Sequence, residues 1–166
     1  TAAVSLLAAQ RLAPTTNTPV LVYGAGTQAR THLEAFRDGL GVRRAYLTSR
    51  TRSRAEALAT EMNRTGMEVT VVDDPAAVLD QVRLIVTATT ATAPILPASL
   101  HAETFVAAVG AFRAHMAEIP PELLAQGRVV IDSAEGARDE AGDLIKARAS
   151  GHFDWDRATT LEAVVL

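Results

Sequence analysis

Val20-Leu21-Val22-Tyr23-Gly24-Ala25-Gly26-Thr27-Gln28-Ala29 is a short apolar run followed at once by the pattern G-x-G-x-x-A. Four apolar residues between Pro19 and Gly24 predict a buried strand. After the turn, Ala29, Leu33, Phe36 and Leu40 recur at helical spacing, with Gly39 and Gly41 to end the helix. In a strand–turn–helix unit each small residue has a physical task. Gly24 permits the tight turn, Gly26 lets the backbone approach a pyrophosphate, and Ala29 lets the helix pack on the strand. The free N–H groups around Thr27 and Gln28 then face the anion, with about half a positive charge from the helix dipole behind them. A plain turn that uses glycine only for positive φ is the competing reading. Strand, motif, helix and second strand in that order favour the dinucleotide site.

Outward from this unit, apolar runs and helical patterns alternate. Further strands are predicted at 43–48, 68–72, 84–88, 104–108 and 128–131. Ser53 and Glu56 form a candidate capping box for a helix that places Ala55, Leu58 and Met62 on one face. Asp74-Pro75 is a good N-cap with proline in the first turn, and 120–125 with Gly127 after it reads as a short helix. Such alternation implies parallel strands joined by right-handed crossovers: an α/β, doubly wound parallel sheet of the Rossmann type, in three αβα layers. The chain opens without methionine in an amphipathic helix (Val4, Leu7, Ala8, Leu12) and stops at Val164-Val165-Leu166. The expected organisation is an interdomain helix and lead-in at 1–19, the nucleotide-binding domain at 20–149, and a tail at 150–166 returning to a dimerisation and substrate domain outside this sequence. Within that tail 150–155 carries the least pattern.

The end of the second strand bears on which dinucleotide is taken. NAD-specific domains place an acidic residue there to accept from the adenosine ribose hydroxyls. Here the chain reads Thr48-Ser49-Arg50-Thr51-Arg52 with Arg54 close by, and no Asp or Glu is in reach by sequence. Ser49, Arg50, Thr51 and Arg54 suit a 2′-phosphate, for which charge-assisted bonds are worth about 1.5–3 kcal/mol each. NADP(H) is therefore the expected cofactor, with NAD(H) as the alternative and a solvated helix start as the bland reading of the arginines.

Thr87, Ala88 and Thr89 follow the fourth strand at the carboxyl edge, where ligands sit in open α/β sheets. Small residues there let a ribose and nicotinamide lie against the backbone, although on these residues alone a threonine-rich turn is the better reading. Val109 and Gly110 follow the fifth strand, where glycine allows close approach of the nicotinamide. Arg113 is a candidate to orient a substrate carboxylate, or is simply solvated. Asp132-Ser133 reads as an N-cap pair. His32, His101, His115 and His152 have no metal-site spacing and read as surface residues, with only His115 near the expected cleft.

Composition excludes several classes. The net charge of −3 offers no basic field for a nucleic-acid backbone, and no aromatic-interleaved arginine block exists for a single strand. No apolar run reaches the length of a membrane span. The absence of cysteine removes disulfides, thiolate metal sites and a Cys nucleophile, and is compatible with the cytoplasm. No Ser-His-Asp order or G-x-S-x-G elbow points to a hydrolase.

Several of these motifs together carry a resemblance. They are 24–29, then Ser49-Arg50-Thr51 with Arg54-Ala55-Glu56, then Val86-Thr87-Ala88-Thr89-Thr90. Ala108-Val109-Gly110-Ala111-Phe112-Arg113 follows, with Glu118 and Pro121-Glu122-Leu123-Leu124. The last is Val129-Val130-Ile131-Asp132-Ser133 with Glu135, Ala137 and Glu140-Ala141-Gly142-Asp143-Leu144. From Thr1 to about Ile145 the chain resembles the ornithine cyclodeaminase/mu-crystallin family. The resemblance implies a two-domain homodimer whose nucleotide-binding domain is this segment. The family's substrate-binding lysine and arginines then lie outside it, and the segment alone is expected to bind cofactor without turning over. No residue here stands out as certainly catalytic. Cyclodeaminases of the family use an aspartate at the position matching Phe112, and a phenylalanine cannot relay a proton or pair with an ammonium. The Gly-Ala-Phe-Arg form resembles instead the reductases of cyclic imino acids, of the Δ1-pyrroline-2-carboxylate type. Three functions therefore compete: an NADP(H)-dependent oxidoreductase acting on a small imino or amino acid, with ornithine cyclodeaminase as its nearest variant; a non-enzymatic binder of NADPH and a small ligand; and another nucleotide-binding domain with an arginine-bearing second strand, such as that of shikimate dehydrogenase.

Overall fold

The computed structural model describes the whole chain, Thr1–Leu166. It divides into two compact units, one of Thr1–Thr89 with His101–Val109, the other of Thr90–Leu100 with Gly110–Leu166.

The first unit contains α1 (Ala2–Leu12), β1 (Val20–Tyr23), α2 (Thr27–Leu40), β2 (Arg44–Thr48), α3 (Arg52–Asn63), β3 (Glu68–Val71), β4 (Leu84–Thr87) and β5 (Phe105–Ala108). The five strands form one sheet in the order β3-β2-β1-β4-β5. Every pairing is parallel, with Val20 opposite both Ala45 and Leu84. This is the Rossmann-like architecture that the alternating pattern implied. β1 and β4 are buried at every position, as central strands of a sheet covered on both faces must be. Right-handed crossovers put α2 and α3 on one face and the Pro75–Gln81 3₁₀ turn, capped by Asp74, on the other. The chain runs β1, β2, β3 outward and then returns to place β4 on the far side of β1. The strand order thus reverses between β1 and β4, and ligands of such sheets bind outside the carboxyl ends at that point.

Several local expectations change. α3 starts at Arg52 with Thr51 at its N-cap and no side-chain cap, so Ser53 and Glu56 form no capping box; Glu56 instead pairs with Arg52 one turn earlier. Gly39 lies inside α2, where its missing side chain makes room for Leu6 of α1, and only Gly41, at φ 73°, ends the helix. His32 is fully buried rather than a surface residue. Its Nδ1–H donates to the Gln28 carbonyl at 2.7 Å, leaving Nε2 to accept from the Ser5 hydroxyl at 2.9 Å. Burial lowers its pKa, so this link between α1 and α2 is made by the neutral ring.

The second unit contains α4 (Pro121–Gln126), β6 (Val129–Ile131), α5 (Ala134–Glu140), α6 (Gly142–Ala149), β7 (Ala158–Thr160) and α7 (Leu161–Val165). The sixth strand was expected to extend the main sheet; it pairs in parallel with β7 instead. β7 was not foreseen, because Ala-Thr-Thr is short and half-polar, and the apolar periodicity that reveals a strand needs a longer run. Val129, Ala137, Leu144, Ala147 and Phe153 form the core of this unit, with Trp155 edge-on to Phe153 at 5.4 Å. The Asp132-Ser133 pair behaves as read, Ser133 accepting from the Gly136 N–H at the start of α5. No helix of the chain is long and apolar enough to cross a membrane.

Candidate functional site

The two glycines of the turn have different duties. Gly24 sits at φ 107°, and a Cβ there would lie 2.3 Å from the Ala88 carbonyl oxygen. Both the backbone and the close approach of β4 therefore demand glycine. Gly26 is the N-cap of α2 in an extended conformation open to any residue, and a Cβ there would meet nothing within 4 Å. Neither conformation nor packing explains it, so the space before it is left open for something outside the fold. Behind that space α2 begins with no side-chain cap and no acidic residue in its first turn. Its first N–H groups, including those of Thr27 and Gln28, have no partner within the helix. Both residues are exposed, while Ala29 is buried in the core as the helix–strand packing requires. The donor set fits a pyrophosphate.

The strand ladder runs one residue past each strand end and gathers the other candidates on the same edge. The Gly24 N–H donates to Thr48 at 2.8 Å, the Ala88 N–H to Tyr23 at 2.8 Å and the Val109 N–H to Thr87 at 2.9 Å. Ser49 Oγ accepts from the Thr51 N–H at 3.3 Å and shapes the turn into α3. Arg50 and Arg54 are exposed and make no ion pair. Arg52 is committed, bonding Glu56 at 2.8 Å and also Asp73. Asp73 is an acid that sequence proximity could not show. It lies just past β3, whose pairing with β2 delivers it to Arg52. Exposed pairs of this kind contribute about 0–1 kcal/mol, but this one neutralises the nearby carboxylate. Thr87, at the end of β4, is fully buried with a hydroxyl that has no hydrogen-bond partner. Ala88, Thr89 and Val109 are half-buried.

In the second unit, Phe112 and Arg113 are exposed, with the guanidinium 5.7 Å from the ring centroid. Their backbone is fastened from behind. The Gly110 N–H donates to Glu118 Oε2 at 2.8 Å, and the Gly142 N–H donates to the Ala111 carbonyl at 3.0 Å. A Cβ on Gly142 would lie 2.3 Å from both the Arg113 and Met116 carbonyl oxygens. Asp143 Oδ1 accepts from the Glu118 and Ile119 N–H groups at 2.7 and 2.9 Å. Lys146, the chain's single lysine, donates to the Thr92 and His115 carbonyls at 3.0 and 2.7 Å. That use of its ammonium is structural, and the His115 side chain is exposed. Sequence reading attached no role to Glu118, Gly142, Asp143 or Lys146. They lie on no apolar stripe, and only the folded backbone shows which N–H and C=O groups they serve.

Burial pushes the Asp143 carboxyl from its ordinary 3.8 up to about 6; its two backbone N–H donors oppose the rise, the Glu118 carboxylate adds to it, and Lys146 opposes it. Between those pH values the folded chain holds a proton that the unfolded chain has released. The contribution to stability is therefore full below about pH 4 and is lost as pH rises through about 6. Its size is on the order of 3 kcal/mol. Asp143→Asn keeps an oxygen that accepts from both N–H groups but removes the titration. Urea unfolding across pH 4–7.5 is expected to show a flatter pH dependence for this variant, and stability at least equal to wild type at pH 7.5. A parallel pH dependence in both proteins would show that Asp143 does not carry the effect.

Comparison with known proteins agrees with this geometry. The ornithine cyclodeaminase/mu-crystallin family model matches residues 1–155. The chain is 36% identical over 166 residues to Δ1-pyrroline-2-carboxylate reductase 1 of Burkholderia multivorans, covering 99% of this chain and 51% of that protein. It is 33% identical over 150 residues to the ketimine reductase mu-crystallin of Mus musculus, covering 90% of this chain and 47% of that protein. The solved structure of Thermococcus litoralis Δ1-pyrroline-2-carboxylate reductase in complex with NADH and L-proline superposes with a TM-score of 0.90 at 27% identity, over 96% of this chain and 50% of that one. The chain thus spans about half the length of the relatives it matches. With the family model covering all but its last residues, this chain belongs to the ornithine cyclodeaminase/mu-crystallin family.

Proposed function

We propose that this chain is the dinucleotide-binding part of a reductase of cyclic imino acids of the Δ1-pyrroline-2-carboxylate type, using NADP(H) in preference to NAD(H). The observation that carries the proposal is Gly26, whose missing side chain serves no purpose in the fold and keeps open the space before an uncapped helix. Gly24 and Gly26 shape the turn, and the N–H groups of Thr27 and Gln28 bind the pyrophosphate. Ser49, Arg50, Thr51 and Arg54 bind the 2′-phosphate; the two arginines are unpaired and Arg52 has already quenched Asp73. Thr87, Ala88, Thr89, Val109 and Gly110 provide small or backbone surface for the ribose and nicotinamide, and the orphaned Thr87 hydroxyl stands at that strand end. Arg113 orients the substrate carboxylate. The reduced cofactor would supply a hydride to the carbon of the protonated C=N bond, whose π pair becomes the lone pair of the ring amine, giving L-proline or L-pipecolate and the oxidised cofactor.

Phe112 separates this reading from ornithine cyclodeamination. It is 53% exposed and carries no proton, so it offers an apolar ring face where ammonia-releasing chemistry requires an acid. The names of the relatives support the reductase: one is a Δ1-pyrroline-2-carboxylate reductase and another a ketimine reductase. We further propose that the whole protein is a cytoplasmic homodimer whose other domain completes the substrate site. The test is NADPH absorbance with Δ1-pyrroline-2-carboxylate, beside ammonia release from L-ornithine with NAD. The whole protein is expected to consume NADPH and release no ammonia. Ammonia release would overturn the assignment of Phe112, and tight NADPH binding with neither reaction would leave a binding protein.

A further inference from the structure

The loop at 110–113 combines exposed side chains with a fastened backbone. Gly110 is buried and its N–H must be paired. A backbone carbonyl or a hydroxyl would satisfy it. The fold uses instead the carboxylate of Glu118, which is fully buried, and a buried charge is costly unless it is well bonded. What a carboxylate adds is a shorter, stronger and more directional bond.

Glu118 is itself fixed along its backbone. Its N–H is held by Asp143 Oδ1, and its carbonyl accepts from the N–H groups of Ile95 at 2.8 Å and Leu96 at 3.3 Å. One residue thereby joins the segment after β4, the segment after β5 and the start of α6. Gly142 closes the arrangement, its bare Cα lying against the Arg113 and Met116 carbonyls. Phe112 and Arg113 are the side chains this support leaves outside, at 53% exposure for Phe112. A rigid backbone presenting free side chains is how a reacting ligand is held to within fractions of an ångström.

We propose that Glu118 is a positioning residue, whose carboxylate holds Gly110 and so fixes the 110–113 loop, which carries Gly110 and Arg113, the residues proposed above to serve the nicotinamide and the substrate carboxylate. This rests on the function proposed above, and it assigns Glu118 no contact with either ligand. A displacement of about 1 Å at a reacting centre costs on the order of 100-fold in rate.

The experiment compares wild type, Glu118→Gln and Glu118→Leu in the whole protein. Four quantities are read: thermal stability, affinity for ADP-ribose, fluorescence emission of bound NADPH, and kcat against KM with Δ1-pyrroline-2-carboxylate. ADP-ribose is the dinucleotide without its nicotinamide ring, so its affinity rests mainly on the pyrophosphate at the glycine turn and leaves out the nicotinamide contact. Glu118→Gln keeps the shape and an accepting oxygen, which guards against a variant that merely fails to fold. The expected result is unchanged ADP-ribose affinity in both variants, with altered emission of bound NADPH. The rate kcat should fall by about 100-fold in Glu118→Leu and less in Glu118→Gln. A purely structural role would instead lower ADP-ribose affinity, thermal stability and activity together, and that result would overturn the proposal. So would variants equal to wild type in emission and kcat. Wild type that binds no NADPH would overturn the underlying function and this assignment with it. Wild type that binds NADPH without turning over still yields the emission comparison, which then decides the role of Glu118.

Discussion

Gly26→Val is expected to abolish binding of NADPH and NADH alike while leaving the chain folded. The side chain enters open space, so nothing in the protein has to move. The cost to the fold is that of a poorer helix N-cap, about 1 kcal/mol, which lowers the melting temperature by roughly 2–4 °C for a chain of this size. The isopropyl group stands where a pyrophosphate must approach the turn, and binding falls by more than about 100-fold because the phosphate can no longer reach the N–H groups of Thr27 and Gln28. Calorimetric titration beside thermal melting checks both halves. Unchanged affinity would reduce the glycine turn to a turn. The contrast with Gly24 is instructive: its φ of 107° and the Ala88 oxygen 2.3 Å from a Cβ make any substitution there a change to the fold.

Arg50→Asp is expected to weaken NADPH by about 100- to 1000-fold and NADH by no more than about threefold. The variant removes a charge-assisted bond of about 1.5–3 kcal/mol and sets a carboxylate against a dianionic phosphate. Each 1.4 kcal/mol is a factor of ten in affinity. Because Arg50 is exposed, the difference shrinks as salt screens the site. NADH has no 2′-phosphate and meets neither effect. An equal loss for both cofactors would sink the 2′-phosphate assignment, since a general disturbance of the second strand does not discriminate between them.

Much of the first unit could be read from residues alone. Buried parallel strands announce themselves as continuous apolar runs, and Val20–Tyr23 and Leu84–Thr87 are such runs. The glycine turn was legible as a strand–turn–helix unit because Gly24 and Ala29 each answer a separate geometric demand of the fold. The second unit was harder to read. β6 looked like one more strand of the main sheet because nothing in Val129–Ile131 says which neighbour it takes. Its partner, Ala158–Thr160, is too short and polar to stand out.

The site divides in the same way. Arg50 was visible as a basic residue at a strand end, but that Arg52 rather than Arg50 is tied up by Glu56 and Asp73 depends on β3 lying beside β2. His32 read as a surface residue because one histidine on a helix carries no sign of depth. Its burial follows from α1 covering that face, with Ser5 supplying the partner. Glu118 and Asp143 are 25 residues apart and meet through backbone N–H groups, a relation that no spacing rule records.

A fluorescence titration of the protein with NADPH and NADH decides whether the turn at 24–29 takes a nicotinamide dinucleotide, with NADP(H) preferred. Saturable binding of both is predicted, NADPH being tighter by at least about tenfold, as one charge-assisted bond to the 2′-phosphate implies. Absence of binding by either would contradict the dinucleotide site itself, and NADH binding as tightly as NADPH would contradict the role of Arg50 and Arg54.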